Sequence, residues 1–444
     1  MKTYAIETMG CQMNERDSET IAGLLEQMGY AAADEYKNAD VIVVNTCSVR
    51  ENADNRFFGM LGHIKHVKLA RPDVIVAVCG CMMQQEHITE QIKDKHAWVD
   101  LVFGTFNIDA LPEMIEEVLR TKKPAAFILQ QRASIVEGLP AKRLYPFKAS
   151  VNIMYGCNNF CSYCIVPYVR GREVSRGAES IIEEVRGVAA SGAKEILLLG
   201  QNVNSYSDGG TDFADLIGMV NDVAGVERIR FMTSHPKDLS SKLIDRFGPP
   251  EKGGAERLCP SIHLPVQAGS TRVLELMNRR YSKEEYISLV KNLREARPDI
   301  VISTDFIVGF PGETEEDFLE TMDVIERVRF DAAFTFLYSP RKGTPAAEMD
   351  DPEPEEAKRE RFGRMVQRLN AITLEKNRAY VGGVYDVLVE GASKTGKSML
   401  AGRTFGNKLV NFKATEGAYL IGEIVPVRIT SVKTFSFIGD HVNP

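Results

Sequence analysis

Three cysteines lie within eight residues, in the run Gly156-Cys157-Asn158-Asn159-Phe160-Cys161-Ser162-Tyr163-Cys164. A cubane [4Fe–4S] cluster takes four ligands, commonly cysteine thiolates. A C-x3-C-x2-C loop holds three irons and leaves the fourth open, and an open iron is where chemistry happens. The alternatives need residues that this loop lacks. A structural zinc site wants four ligands, usually as two close pairs, and no second pair or histidine is near. Haem attachment needs His after the last Cys, where Ile165 stands. A redox C-x-x-C pair leaves Cys157 without a use.

The rest of the chain must position that loop. Its 444 residues fit two or three domains. No apolar run approaches a membrane span, and the start Met1-Lys2-Thr3-Tyr4-Ala5-Ile6-Glu7 lacks a secretory apolar region. The expectation is a cytoplasmic enzyme without membrane contact, whose eight cysteines are reduced and serve metal ligation. The net charge of −7 is unevenly spread. Segment 119–176 holds 10 Lys and Arg against 2 Asp and Glu, and 377–444 holds 8 against 5. These basic stretches suit a phosphate-contacting surface. Lys122, Lys123, Lys142 and Arg143 are equally suited to solvating a linker, and charge alone leaves both readings standing.

Residues 2–118 alternate apolar runs (Tyr4–Glu7, Val41–Val44, Val74–Val78 and Val99–Phe103) with helical stretches such as Ser18–Met28. That pattern reads as a doubly wound parallel sheet, whose ligands bind beyond the carboxyl ends of its strands. Cys11, Cys47 and Cys81 follow three of those ends, which suggests a second three-ligand cluster. Isolated core thiols are the alternative. Cys79 competes with Cys81 but reads more simply as a buried strand residue.

From about residue 147, strand and helix signals alternate six times. The strands are Ser150–Met154, Glu195–Leu199, Arg228–Met232, Ser261–Leu264, Val301–Val308 and Ala333–Tyr338, with helices such as Ser180–Ala190 and Lys283–Arg294 between them. This predicts a partial (βα)6 TIM-like barrel with its site at the carboxyl ends of the strands. After a helix over Pro352–Arg378, short β-rich runs predict a small five-stranded antiparallel β-barrel. The expected domains are 2–118, a basic linker 119–146, 147–376 and 377–441. Gly391-Ala392-Ser393-Lys394-Thr395-Gly396-Lys397-Ser398 fits the P-loop pattern letter for letter. No amphipathic helix follows it, as phosphate binding requires, so it reads as a hairpin loop.

The central loop resembles the signature of the radical S-adenosylmethionine (SAM) enzymes. The runs Gly10-Cys11-Gln12-Met13-Asn14, Asn45-Thr46-Cys47 and Gly80-Cys81 are similar to the N-terminal domain of the methylthiotransferases. Ile165-Val166-Pro167-Tyr168-Val169-Arg170-Gly171-Arg172-Glu173, Ser234-His235-Pro236, His263–Ser270 and Ser303–Thr314 resemble that family's pattern in the central part of the chain. The resemblance covers essentially the whole chain and is nearest to the tRNA-acting branch. It implies two [4Fe–4S] clusters, one on Cys157, Cys161 and Cys164 and an auxiliary one on Cys11, Cys47 and Cys81. It implies SAM as cofactor, with Gln201, Asn202, Ser234, Gln267 and Asp305 at strand ends as candidate contacts. The Gly309–Gly312 turn joins Asp305 as a candidate for ribose and adenine. Gln201 has a capping or core-amide role as its alternative, and Asp305 a structural pairing with an Arg.

The implied reaction is methylthiolation of carbon 2 of isopentenyladenosine beside the anticodon. One SAM methylates a sulfur at the auxiliary cluster. Another is cleaved to a 5′-deoxyadenosyl radical that removes the carbon-2 hydrogen. The implied partners are the tRNA anticodon stem-loop, gripped in part by a C-terminal TRAM barrel, a reducing electron donor such as flavodoxin, and a sulfur donor. The chain is expected to act as a monomer. Two alternatives stand: methylthiolation of a ribosomal-protein aspartate, and an iron–sulfur scaffold or RNA-binding module without turnover.

Overall fold

Six parallel strands build the N-terminal sheet, in the spatial order Ala31–Ala32, Thr3–Thr8, Val41–Thr46, Ile75–Gly80, Leu101–Phe103 and Ala125–Phe127. The computed structural model describes residues 1–48, 51–131, 135–394, 396, 399–414 and 420–442. Val41–Thr46 and Ile75–Gly80 are buried at every position because helices cover both faces. Successive side chains alternate between those faces. Val41 and Val43 pack with Ile21, Leu25 and Ile115, while Ile42 and Val44 pack with Phe57, Leu61 and Ile64.

The strand order reverses between Thr3–Thr8 and Val41–Thr46, and such a switch point opens a crevice at the carboxyl ends. Cys11 and Cys47 follow these two strands. Two short strands, Ala31–Ala32 and Ala125–Phe127, extend the sheet beyond the four apolar runs of the sequence. The second lies inside segment 119–146, so part of that stretch belongs to the sheet.

The central domain carries two three-stranded parallel groups. Lys148–Asn152, Glu195–Leu199 and Arg228–Phe231 form the first; Ser261–His263, Val301–Val308 and Ala332–Leu337 form the second. An isolated Ile229–Leu258 bridge ties the first group to the segment just before Ser261. Among the described residues the first and last strands do not pair, so the barrel is open. In Val301–Val308, the buried Ile302, Phe306 and Val308 pack with the helix residues Phe318 and Ile325. Alternation turns the half-buried Ser303, Asp305 and Ile307 to the barrel interior.

The helix Glu355–Arg378 buries Met365, Leu369 and Ile372 in the same core. Beyond it, Val384–Ala392, Met399–Thr404, Leu409–Lys413, Phe437–His441 and Ile424–Val432 close a five-stranded barrel in that ring order. Four pairings are antiparallel. Leu409–Lys413 and Phe437–His441 run parallel, which corrects the expectation of a wholly antiparallel barrel. In the P-loop-like run, Gly391 and Ala392 end one strand and Met399 begins the next. Its Thr395, Lys397 and Ser398 lie outside the described residues. No helix among the described residues is long and apolar enough to cross a membrane.

Two buried arginines dock this barrel on the central domain. Arg228 donates to the carbonyl oxygens of Arg403 (2.8 Å) and Asp386 (2.9 Å). Arg230 donates to those of Thr404 (2.9 Å) and Phe405 (3.1 Å), and its Nε pairs with Glu195 at 2.8 Å. A hydrogen bond from a charged group contributes about 1.5–3 kcal/mol, and these four all cross to the barrel. An Arg228→Met/Arg230→Met chain should therefore unfold in two calorimetric steps, the barrel first. A single unshifted transition would contradict this docking.

Candidate functional site

The cysteine loop leaves the carboxyl end of the first central strand at Gly156, whose φ is 76°. A Cβ there would lie 2.0 Å from the Arg172 carbonyl oxygen, so only glycine fits. The Gly156 N–H donates to Gln201 Oε1 at 2.6 Å, and Cys157 N–H to the Gly171 carbonyl at 3.1 Å. Asn278 Nδ2 donates to the carbonyls of Asn159 (3.1 Å) and Phe160 (2.9 Å). Ser162 is tied through its N–H to Met277 and through its hydroxyl to Leu276. Arg279 is buried and donates from Nη1 to Cys161 Sγ at 3.4 Å. Burial pushes the Cys157 thiol up to about 11 and the Cys164 thiol up to about 12. A metal held by these thiols would have to displace their protons.

The second set gathers at the switch point of the N-terminal sheet. Gly10 has a φ of 132°, and a Cβ on it would lie 2.5 Å from Cys47 Cβ. Cys11 is held down to about 6 by a hydrogen bond with Cys47, against burial and with help from Arg170. Cys81 follows Gly80 and is buried, and burial raises its thiol. Arg170 Nε donates to Cys81 Sγ at 3.0 Å, and Ile165 and Val169 cover the same sulfur-bearing residue. Cys79 is wholly buried inside its strand, the structural role read for it. Val49 and Arg50, just after Cys47, lie outside the described residues.

Among the described residues no three His, Cys, Asp or Glu side chains stand close enough to share one metal ion. A cubane instead takes one thiolate on each iron and spreads its ligands wider than a single ion does, and cysteine thiolates are its usual donors.

The carboxyl ends of the central strands carry buried polar atoms without hydrogen-bond partners: Asn152 Oδ1, Asn202 Oδ1, Asn204 Oδ1, Ser234 Oγ and His235 Nε2. Such atoms are costly unless a ligand satisfies them. They suit a small molecule rich in amino, carboxylate and hydroxyl groups. Burial and Arg279 hold His235 neutral by lowering it to about 2. Asn202 Nδ2 is held by Asp238 at 2.7 Å. Of these atoms, the sequence singled out only those of Asn202 and Ser234. Gln201 uses its oxygen on the loop backbone, its alternative role. Gln267 is buried at a φ of 73° and bridges Phe306. Asp305 pairs with His263 Nε2 at 3.4 Å, where an arginine was the structural partner considered. On the same inner face Phe334 and Phe336 are 54% and 43% exposed, two rings that sequence patterning missed.

Several linker cations are already matched within the fold. Arg143 binds Glu19 and Glu184, and Lys142 binds Glu26. Arg176, within the basic segment, binds Glu137 and Glu184. Only Lys122 and Lys123 of the four linker cations singled out are exposed without a carboxylate in the described contacts, which shrinks the phosphate-contacting reading of this segment.

An open (βα)6 barrel with a three-cysteine loop after its first strand defines a radical SAM enzyme, and residues 151–325 match the radical SAM superfamily. Residues 3–104 match the uncharacterized protein family UPF0004, and 378–442 the TRAM domain. The chain belongs to the tRNA-2-methylthio-N(6)-dimethylallyladenosine synthase family. It is 53% identical to the synthase of that name from Acetivibrio thermocellus, over 99% of this chain and 91% of the relative. It is 51% identical to that from Alkaliphilus oremlandii, over 99% and 93%. These names carry a tRNA substrate and count against the ribosomal-protein alternative. A radical SAM methyltransferase from Kitasatospora setae, TsrM, shares the fold with a TM-score of 0.56 at 14% identity, over 78% of this chain and 74% of that one. The family implies a [4Fe–4S] cluster and SAM.

Two outcomes test this geometry. Gly156→Ala should displace the loop and abolish iron uptake by Cys157, Cys161 and Cys164 while leaving the other cysteines' uptake intact. Full iron content on reconstitution would contradict it. In the Gly309–Thr314 turn, burial pushes Glu313 up to about 7, and its Oε2 accepts from Gly309 N at 2.5 Å. A raised pKa means that the folded state holds the proton. Its stabilising contribution is complete below about 4.5 and is lost as pH rises through 7. Wild-type stability should therefore fall relative to Glu313→Gln between pH 5 and 8, by up to about 3 kcal/mol in denaturant titrations. Parallel pH profiles would show that Glu313 is not protonated in the fold.

Proposed function

We propose that the chain makes 2-methylthio-N(6)-dimethylallyladenosine in tRNA, at the base beside the anticodon. In this reading Cys157, Cys161 and Cys164 hold one [4Fe–4S] cluster and Cys11, Cys47 and Cys81 a second. The observation that carries it is the helix Val166–Arg170. It begins two residues after Cys164, and its last residue touches Cys81. One short helix and one side chain thus connect the two cysteine sets, so in this reading they work on one bound molecule. Bound there, the clusters and SAM would supply radical and sulfur chemistry that no side chain provides.

The chain's own residues do the positioning. Gln201 and Asn278 fix the loop backbone. The unpartnered atoms of Asn152, Asn202, Asn204, Ser234 and His235 receive SAM, with Gln267 and Asp305 further along the same strand ends. Phe334 and Phe336 give the barrel interior an apolar face for the base and its five-carbon tail. A loop base is splayed out at little cost and read singly. An outside one-electron donor such as flavodoxin and a sulfur source complete the reaction, in the cytoplasm, on a single chain.

The C-terminal barrel offers Phe435, 73% exposed, beside the exposed Lys433. An exposed ring next to a cation stacks a single-stranded base, worth about 1–3 kcal/mol. Phe435→Ala should raise the tRNA Kd by about 5-fold or more, and binding should weaken as salt rises. Equal Kd values would remove the barrel from the RNA surface. Mass spectrometry of tRNA nucleosides decides the activity. A strain deleted for this chain should lose the 2-methylthio group and regain it with the wild-type chain but not with Cys157→Ala. Retention of the group in the deletion strain would refute the proposal.

A further inference from the structure

Arg170 belongs to the central domain by sequence and to the cysteine-bearing N-terminal domain by contact. It is 4% exposed. Nε donates to Cys81 Sγ at 3.0 Å and Nη2 to Asp17 Oδ2 at 2.7 Å, and Asp17 is itself buried. A guanidinium cannot shed its proton, so its burial is tolerated only where anions face it. Here the Asp17 carboxylate is the anion, and the Cys81 sulfur is the second acceptor. A thiolate accepts such a bond far better than a thiol, and deprotonation is what a metal imposes on a cysteine ligand. Ile165 and Val169 close the same spot with apolar groups, which leaves the interaction little screened. Hydrogen bonds to sulfur, net charge and exposure are the levers that set a cluster's potential.

We propose that Arg170 is a positioning residue that holds the second cluster through Cys81 and raises its reduction potential. The domain that makes the radical thereby sets the electronic state of the domain that holds the sulfur. The inference rests on the two-cluster reading above. A cluster held there would become one unit more negative on gaining one electron from an outside one-electron reductant. The guanidinium stabilises that added charge and the Asp17 carboxylate opposes it, so the two residues pull in opposite directions.

The test is a dithionite redox titration followed by electron paramagnetic resonance. It uses the full chain carrying Cys157→Ala, Cys161→Ala and Cys164→Ala, so that only the second cluster gives a signal. On this background Arg170→Met should lower the midpoint potential, Arg170→Lys should fall between it and the parent, and Asp17→Asn should raise it. Iron content should stay near the parent's in Arg170→Lys and Asp17→Asn. A merely structural role cannot produce shifts of opposite sign. Unmoved potentials in loaded variants would overturn the proposal, as would loss of iron from both Arg170→Lys and Asp17→Asn. A parent that binds no cluster at all would instead overturn the two-cluster reading, and this inference with it.

Discussion

A guanidinium buried between two domains must be matched on the spot, and the junction at Arg170 depends on that requirement. Its partners, Asp17 and Cys81, come from different parts of the N-terminal domain, one on the first helix and one after the strand Ile75–Gly80. The match therefore fixes how the two domains meet. Cys81 sits against Ile165 and Val169, directly downstream of the cysteine loop. Both bonds exist only while the two domains meet in this way, because both partners lie on the N-terminal domain. The second arginine, Arg279, is buried beside Cys161 and ties the loop to the Pro265 carbonyl. Each cysteine set thus has one buried cation donating to one sulfur.

Parallel sheets make this arrangement possible. Every loop that follows a strand emerges on one edge, so residues far apart in sequence meet without any local pattern to announce it. In the N-terminal domain this gathers Cys11, Cys47 and Cys81 at one end. In the open six-stranded barrel it gathers the cysteine loop, the unpartnered amides and Ser234 at another. Phe334 and Phe336 stay exposed there. The C-terminal barrel is held on the central domain by Arg228 and Arg230.

Much of this was legible before any coordinates. Strands such as Glu195–Leu199 and Val301–Val308 end where their apolar patterns end, because burial on one or both faces writes itself into the residue order. The cysteine loop was equally plain, since its ligands are contiguous. What stayed hidden depends on distant partners. Arg170 lies in the run just after the cysteine loop, yet nothing in its neighbourhood points to Cys81, 89 residues away. The linker cations looked free until Glu19, Glu26 and Glu184 came to meet them. Gln201 stood at a strand end, where a ligand contact and a backbone contact share one sequence signal. The strands Ala125–Phe127 and Phe437–His441 are short, and one carries Gly and Asp, so their apolar pattern is weak.

The central claim is that two cysteine sets, held edge to edge, each carry a cluster. Iron and acid-labile sulfide per chain, measured after anaerobic reconstitution, test it most directly. The wild-type chain should take up about eight irons. A chain with Cys157, Cys161 and Cys164 all replaced by Ala should take up about four, and so should one with Cys11, Cys47 and Cys81 replaced. A wild-type chain that takes up only about four, all lost with the first substitution and none with the second, would contradict the account.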